Sequence, residues 1–243
     1  MEDNEYKQMY KIENDHWWFV AKRKFLQIII NNFVANKQTK ILDVGCGTGA
    51  NLDFLQSQGY QADGIDKSEI ALSFCRQRGL KVRQSLTNQL DYTDNSFDLV
   101  MALDVLEHIA NEQETLKEIK RVLKPGGIFV ATVPAHQFLW SVHDEALHHF
   151  RRYNKKRFLG IFSDNFAIEY ISYIHMFILF PAMLLRLVGK IIRRTDKKSD
   201  VHHSGKLVNI LMGLIYQIEF FIFRLFKKLP FGLSLIIVVR KND

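Results

Sequence analysis

Lys40-Ile-Leu-Asp-Val-Gly-Cys-Gly-Thr-Gly49 decides the fold. Ile41 to Val44 form the short apolar run of a strand buried on both faces. Gly45, Gly47 and Gly49, at alternate positions, then remove the Cβ atoms that would hold a ligand off the backbone. A helix starting near Ala50 offers free N–H groups to whatever lies over the loop. A nucleotide-type cofactor is the occupant this pattern suits, although glycine-rich turns from strand to helix also occur as plain tight connections. The flanking chain has to choose between the two.

Downstream, Gln61-Ala-Asp-Gly-Ile-Asp66 reads as a second strand ending in an acid, 17 residues after Gly49. A carboxylate there suits two ribose hydroxyls. The spacing alone would also admit a dinucleotide enzyme. Against that reading, Asp43 sits two residues before the first glycine, and the third glycine follows the second by only two positions, where the dinucleotide fingerprint wants G-x-G-x-x-G. From Lys40 to Val133 strand and helix patterns alternate, which implies right-handed crossovers and a parallel sheet with its crevice at the strands' carboxyl ends. Tyr6 to Asn36 reads as mostly helical, with Phe25, Ile28, Ile29 and Phe33 at three- and four-residue steps. Asn154 to Phe162 reads as a helix, Ala167 to Tyr173 as the sixth strand and Leu233 to Val239 as the last.

Four further segments join the glycine loop: Asn95 to Asp104 as the fourth strand, Val105-Leu-Glu-His-Ile109 after it, Arg121-Val-Leu-Lys-Pro-Gly-Gly127, and Ile128 to Val133 as the fifth strand. In this order, over about residues 38 to 135, the chain resembles the class I S-adenosylmethionine-dependent methyltransferases. Glu13-Asn-Asp-His-Trp-Trp-Phe19 with Arg23, Trp140-Ser-Val-His-Asp-Glu145, and His149-Phe-Arg-Arg-Tyr153 look like a bacterial small-molecule and lipid-acceptor branch. That branch is similar to the ubiquinone-biosynthesis O-methyltransferases. The resemblance implies an α/β fold: a Rossmann-like seven-stranded sheet with helices on both faces. It also implies S-adenosyl-L-methionine as cofactor. Asp43, Gly45, Cys46, Gly47 and Gly49 would lie at its methionine moiety, with Asp66 at the ribose, Lys67 flanking the adenine and Leu103 at the end of the fourth strand. The acid usual after the third strand is missing from Arg83-Gln-Ser-Leu86, which leaves the Ser85 and Leu86 backbone for the adenine.

Composition fits a cytoplasmic enzyme. Of 243 residues 47% are hydrophobic, ample for a large core, and two cysteines permit no disulfide framework. The N-terminus is polar and acidic, without the apolar region of a secretory signal. Charge is uneven. Residues 1–140 carry 16 Lys+Arg against 18 Asp+Glu, net −2, and residues 141–243 carry 17 against 8, net +9. The family closes its sheet with two neighbouring strands, yet here residues 174–231 intervene. Tyr173 to Leu185 is apolar but for His175 and Pro181, and leads through Arg186, Lys190, Arg193 and Arg194 into a polar linker, Thr195 to Lys206. Leu207 to Lys228 is a longer apolar arm with Asn209, Gln217, Glu219 and Arg224 interspersed. The expected organisation is an N-terminal helical lid over 1–37, a methyltransferase domain over 38–173 and 232–243, and an inserted amphipathic helical hairpin over 174–231. Basic residues among greasy ones suit an anionic membrane surface, and argue against nucleic acid, because such a face left open would aggregate. The expectation is a peripheral, monotopic protein on the inner membrane face. A hairpin that covers the sheet edge or makes a homodimer is the alternative.

For proton removal the candidates are His149 and His143, beside His148, in the segment after the fifth strand where substrate elements enter in the family. Histidine exchanges protons near neutral pH without a large shift. Bracing of the loop by His149 and Asp144 is the structural alternative. No metal is expected, since His143, Asp144 and His149 match no rigid helical spacing such as i, i+4. Arg151, Arg152 and Tyr153 make a candidate anion clamp, or a solvated basic turn. Trp17, Trp18 and Arg23 would belong to the lid. The acceptor is expected to be a small or lipid-linked molecule methylated at oxygen. A non-catalytic scaffold, whose hairpin recruits a partner enzyme, is the alternative of a different class.

Overall fold

The computed structural model describes residues 3–34, 36–162, 166–191 and 204–242. In chain order the elements are α1 (Asp3–Ile12), α2 (Trp17–Phe33), β1 (Lys40–Val44), α3 (Ala50–Ser57), β2 (Gln61–Asp66), α4 (Glu69–Gln77), β3 (Val82–Gln84), β4 (Phe97–Leu103), α5 (Glu112–Val122), β5 (Leu123–Pro134), α6 (Val142–Ala146), α7 (Lys155–Gly160), β6 (Phe166–Ile174), α8 (Met176–Ile191), α9 (Lys206–Phe226) and β7 (Ser234–Lys241). The strands form one seven-stranded sheet in the order β3-β2-β1-β4-β5-β7-β6. The first five are parallel, and β7 runs antiparallel between β5 and β6. The order reverses between β1 and β4, so a crevice opens there beyond the strands' carboxyl ends.

Side chains alternate across each strand, so one strand feeds two cores. Ile41, Leu99, Met101, Ile128, Val130, Ile236 and Val238 face the layer that holds Phe25 and Ile29 of α2, Leu52 and Leu55 of α3, and Tyr216 and Phe223 of α9. Leu42, Val44, Val100, Ala102, Phe129, Ala131, Leu235 and Ile237 face the other, with Leu116 and Ile119 of α5 and Phe158 of α7. Both faces are covered, as a parallel sheet requires.

Two elements differ from the sequence reading. The N-terminal helix is broken at residues 13–16, where the side chain of His16 accepts the Trp18 N–H and caps α2. The fifth strand starts at Leu123 instead of Ile128, because Leu123 already pairs with Phe97 and an irregularity then absorbs the Lys-Pro-Gly-Gly segment.

The inserted helices pack on the domain. Phe25 has no exposed surface, and its ring meets those of His175, Tyr216, Phe220 and Phe223 at 4.9–6.4 Å. Glu219 of α9, fully buried, accepts the N–H groups of Met176 at 2.7 Å and Phe177 at 3.3 Å, the otherwise open donors at the start of α8. By length and composition α9 is long and apolar enough to cross a membrane, at 21 residues and a mean hydropathy of 1.5. Yet one of its faces is core of the protein. Most of the polar linker between the arms, with Arg193, Arg194, Lys197 and Lys198, lies outside the described residues.

Candidate active site

Gly45 and Gly47 adopt φ of 74° and 55°, a region that side chains rarely enter. A Cβ on Gly45 would lie 2.7 Å from Val105 Cγ2, and one on Gly47 3.0 Å from Met9 Cε. The N–H groups of Gly45 and Cys46 both donate to the Ile65 carbonyl, which ties the loop to the end of β2. Asp66 follows directly. Its Oδ2 accepts the Gly47 N–H at 3.0 Å and its Oδ1 the Ser68 N–H at 2.9 Å. A cavity of about 600 Å³ opens over this corner, walled by Gly45, Cys46, Gly47, Asp66, Lys67, Leu86 and Leu103. A carboxylate oxygen has lone pairs for more than one donor, so Asp66 keeps acceptor capacity for ribose hydroxyls on the cavity side. S-adenosyl-L-methionine fits this end, and would supply the methyl group as an electrophile.

Three expected cofactor residues are not on the cavity wall. Asp43 is buried beneath the loop with its Oδ2 unpartnered, and burial, reinforced by Asp66 and opposed by Lys22, pushes its carboxyl up to about 7. Gly49 is needed for packing, since a Cβ there would lie 2.6 Å from Leu80 Cδ1 and 2.9 Å from Cys75 Sγ. The Ser85 hydroxyl donates to the Gln89 carbonyl at 2.7 Å, and Leu86, Thr87 and Asn88 reach the cavity in its place.

α1 roofs the cofactor end with Tyr6 and Met9, joined by Glu13 in the turn that follows it. Buried Glu13 accepts from Thr48 Oγ1 of the glycine loop at 2.6 Å and forms an ion pair with Arg78 at 2.7 Å. Burial raises its carboxyl, with those two partners opposing. Sequence reading marked the segment as a lid without finding these residues; a carboxylate in Glu13-Asn-Asp-His-Trp-Trp was the one visible signal. Trp18 and Arg23 line the cavity. Trp17 does not: its ring stacks on Tyr216 at 6.0 Å, and its backbone N–H donates to Asn209 Oδ1 of α9. The aromatic pair is split because neighbours on a helix point about 100° apart.

The other end of the cavity is rich in ionisable groups. His143 and His149 both line it. His149 Nδ1 lies 3.0 Å from Asp144 Oδ1, and the same oxygen accepts from Arg152 Nε at 2.7 Å. Asp144 is fully buried. Burial works against its charge, but His149 and Arg152 overcome that and hold the carboxyl well below the usual range. With Nδ1 engaged by Asp144, Nε2 of His149 is the nitrogen left for a substrate proton, the orientation a general base needs. Beside it, His108 is pushed down to about 3 by burial and by His149, while burial and the Asp104 charge push Glu107 well above the usual range. His108 is therefore neutral at neutral pH.

The expected anion clamp does not form. Arg151 is engaged by Glu112 at 2.5 Å and by the Ala110 carbonyl, Arg152 is buried on Asp144, and the Tyr153 hydroxyl donates to Glu112 at 2.9 Å. A guanidinium so paired has few donors left for a ligand. The set considered for a metal does not converge either. Glu107, His108 and His149 instead bring one potential ligand atom each within 4.8 Å of one another. Sequence reading also missed Lys22, which pairs with Asp104, while Thr132 Oγ1 donates to the other Asp104 oxygen at 2.9 Å. Burial opposes the charge on Asp104, and Lys22 and Thr132 outweigh it.

A seven-stranded sheet with a reversed last strand, a glycine loop at its switch point and an acid at the end of β2 is the architecture of the class I S-adenosylmethionine-dependent methyltransferases, to which the chain is similar. Residues 42–131 match the family profile described as a methyltransferase domain. The chain is 29% identical over 152 residues to a ubiquinone biosynthesis O-methyltransferase of Azoarcus sp. (strain BH72), covering 55% of this chain and 65% of that protein, just under two thirds. An uncharacterized protein of Methanocaldococcus jannaschii is 28% identical over 199 residues, covering 79% and 85%. Among solved structures, phosphoethanolamine N-methyltransferase 2 of Haemonchus contortus, in complex with S-adenosyl-L-methionine, superposes with a TM-score of 0.59 at 19% identity, covering 89% of this chain and 52% of that one.

Proposed function

We propose that the protein transfers the methyl group of S-adenosyl-L-methionine to a hydroxyl oxygen of a small or lipid-linked acceptor, at the cytoplasmic face of a membrane. The observation that carries this reading is the buried Asp144–His149 pair at the far end of the same cavity that begins at Asp66. A neutral hydroxyl needs a proton acceptor as it attacks, and His149 Nε2 is placed to be one. Holding cofactor and acceptor in line inside one walled cavity contributes the orientation term, roughly 7 to 11 kcal/mol for well-placed reactants. Two buried thiols, Cys46 and Cys75, suit a reducing compartment. The ubiquinone-pathway relative, whose name states an O-methyltransferase, supports oxygen as the atom methylated.

The test is incubation of the purified protein with methyl-labelled S-adenosylmethionine and a lipid extract from cells that lack it, dispersed in detergent. Label should appear in a lipid one methyl heavier than its precursor, and His149→Ala should abolish most of that label. Binding of the cofactor with no labelled product from any extract would favour the non-catalytic scaffold instead.

A further inference from the structure

The inserted helices carry two apolar faces each, and only one of each pair is used inside the protein. On α9 the inner face, with Tyr216, Glu219 and Phe223, packs on α2. The outer face shows Leu207, Leu211, Leu214, Ile218, Phe221 and Leu225, spaced four, three, four, three and four residues apart, a continuous stripe along the whole helix. All six are more than half exposed. On α8 the inner face holds Leu179 against Leu139 and Leu233, and Arg186 donates to the Leu139 carbonyl at 2.8 Å where it walls the cavity. Outward, α8 shows Phe177, Phe180, Leu184 and Leu187, again at helical spacing. A soluble monomer rarely leaves so many large apolar side chains contiguous in water.

Charge identifies the occupant. Among the described residues of α8, α9 and the turn after α9, the single acid is Glu219, and it is buried. Lys206 stands exposed at one end of α9, and Arg224, Lys227 and Lys228 stand exposed at the other. A second copy of this chain would bring the same cations to the shared interface with no exposed acid on these helices to meet them. A surface that is apolar within and negative at its rim meets both features. We infer that the outer stripes of α8 and α9 are a docking surface for an anionic lipid bilayer, with the helices lying in its plane and the cations at the headgroups. Arg186 of α8 walls the cavity beside these stripes, so a lipid-linked acceptor enters from the bilayer. That last step rests on the function proposed above; the docking itself does not.

The experiment is co-sedimentation of the full chain with vesicles of phosphatidylcholine alone or mixed with phosphatidylglycerol. Binding is expected to be stronger to the mixed vesicles and to weaken toward the neutral level as salt rises. Leu211→Gln/Ile218→Gln/Phe221→Gln should lower vesicle affinity at least about tenfold with cofactor affinity unchanged, because these side chains touch solvent and not the core. Charge reversal at Lys206, Lys227 and Lys228 should remove the preference for phosphatidylglycerol and leave the weaker neutral binding. The inference is overturned if the intact protein ignores both vesicles, if the triple variant binds as the parent does, or if that variant converts a lipid-free dimer to a monomer without altering sedimentation. Turnover in detergent micelles is read separately, so loss of the catalytic reading leaves vesicle binding as a result, and the reverse holds too.

Discussion

Asp66 is held by two backbone N–H groups before any ligand arrives, so its carboxylate is aimed in advance. Asp66→Ala should weaken S-adenosylmethionine binding by about 1.5 to 3 kcal/mol, the range for bonds to a charged group, with the chain still folded. Calorimetry on a variant of normal melting behaviour reads this directly, and unchanged affinity removes Asp66 from the site. His149→Ala should lower turnover by roughly 10²- to 10⁴-fold while cofactor affinity stays nearly intact. A fall of less than about threefold makes His149 a brace, with His143 next in line. Asp43 gives a pH signature of opposite sign to most carboxyls. Its folded pKa, about 7, lies above the ordinary aspartate value, so the folded chain binds the extra proton and stability declines as pH rises from about 4 to about 7. Asp43→Asn should flatten that decline, and in cofactor-free protein the gap in melting temperature over the parent should widen toward pH 7 and then level off. A gap that does not change with pH would show that Asp43 ionises normally. Gly45, Gly47 and Asp66 were legible in the sequence because a strand fixes where its own end and loop must lie. Lys22 and Asp104 were not, since they meet across 82 residues from α2 and the end of β4.

At the scale of elements, α8 depends on α9 for its start. Glu219 satisfies the Met176 and Phe177 N–H groups, and no side chain within α8 does so. Glu219→Ala should cost about 1 to 3 kcal/mol, because two partly buried donors lose their acceptor. Denaturant midpoints should fall with the slope unchanged, and Glu219→Gln, which keeps one acceptor oxygen, should recover part of the loss. A midpoint equal to the parent's would show that water reaches these groups. Both arms of the insertion could be read from the sequence as apolar helices, from spacing alone. Which stripe would be core could not, because both stripes of α9 are apolar and only the position of Phe25 on α2 decides between them. The same limit explains Trp17 and Trp18. As neighbours they read as one lid, yet Trp17 packs on α9 and Trp18 stacks on His175 at 4.2 Å. Arg151 and Arg152 looked free as a basic dipeptide, since nothing local shows that Glu112 and Asp144 are waiting for them.

At the scale of the whole molecule, the cavity over the glycine loop has two differently built ends. Local patterns specify the cofactor end, and α2, α6 and α8 assemble the other from distant parts of the chain. The sheet alternation and the seven strands were therefore readable, and of the acceptor end His143 and His149 were, while their partners from other elements were not.

The place of β7 has a consequence for the order in which the chain is made. β7 fills the slot between β5 and β6 and bonds to both, but it is synthesised only after α8 and α9. Until Ser234 to Lys241 leave the ribosome, β5 and β6 have no shared neighbour, and the aliphatic layer from Leu235 to Val239 is missing from both cores. During that interval the core that receives the inner stripe of α9 lacks Ile236 and Val238, and on the membrane reading proposed above a nearby bilayer would meet α9 before the sheet can close. Ribosome-stalled chains ending before Ser234, with enough following linker to clear the exit tunnel, should be cut readily by protease and should float with added vesicles. Chains stalled beyond Lys241 should resist protease. Equal resistance in the two would mean that the six-stranded precursor already folds, and that translation order leaves no mark on the route to the finished sheet.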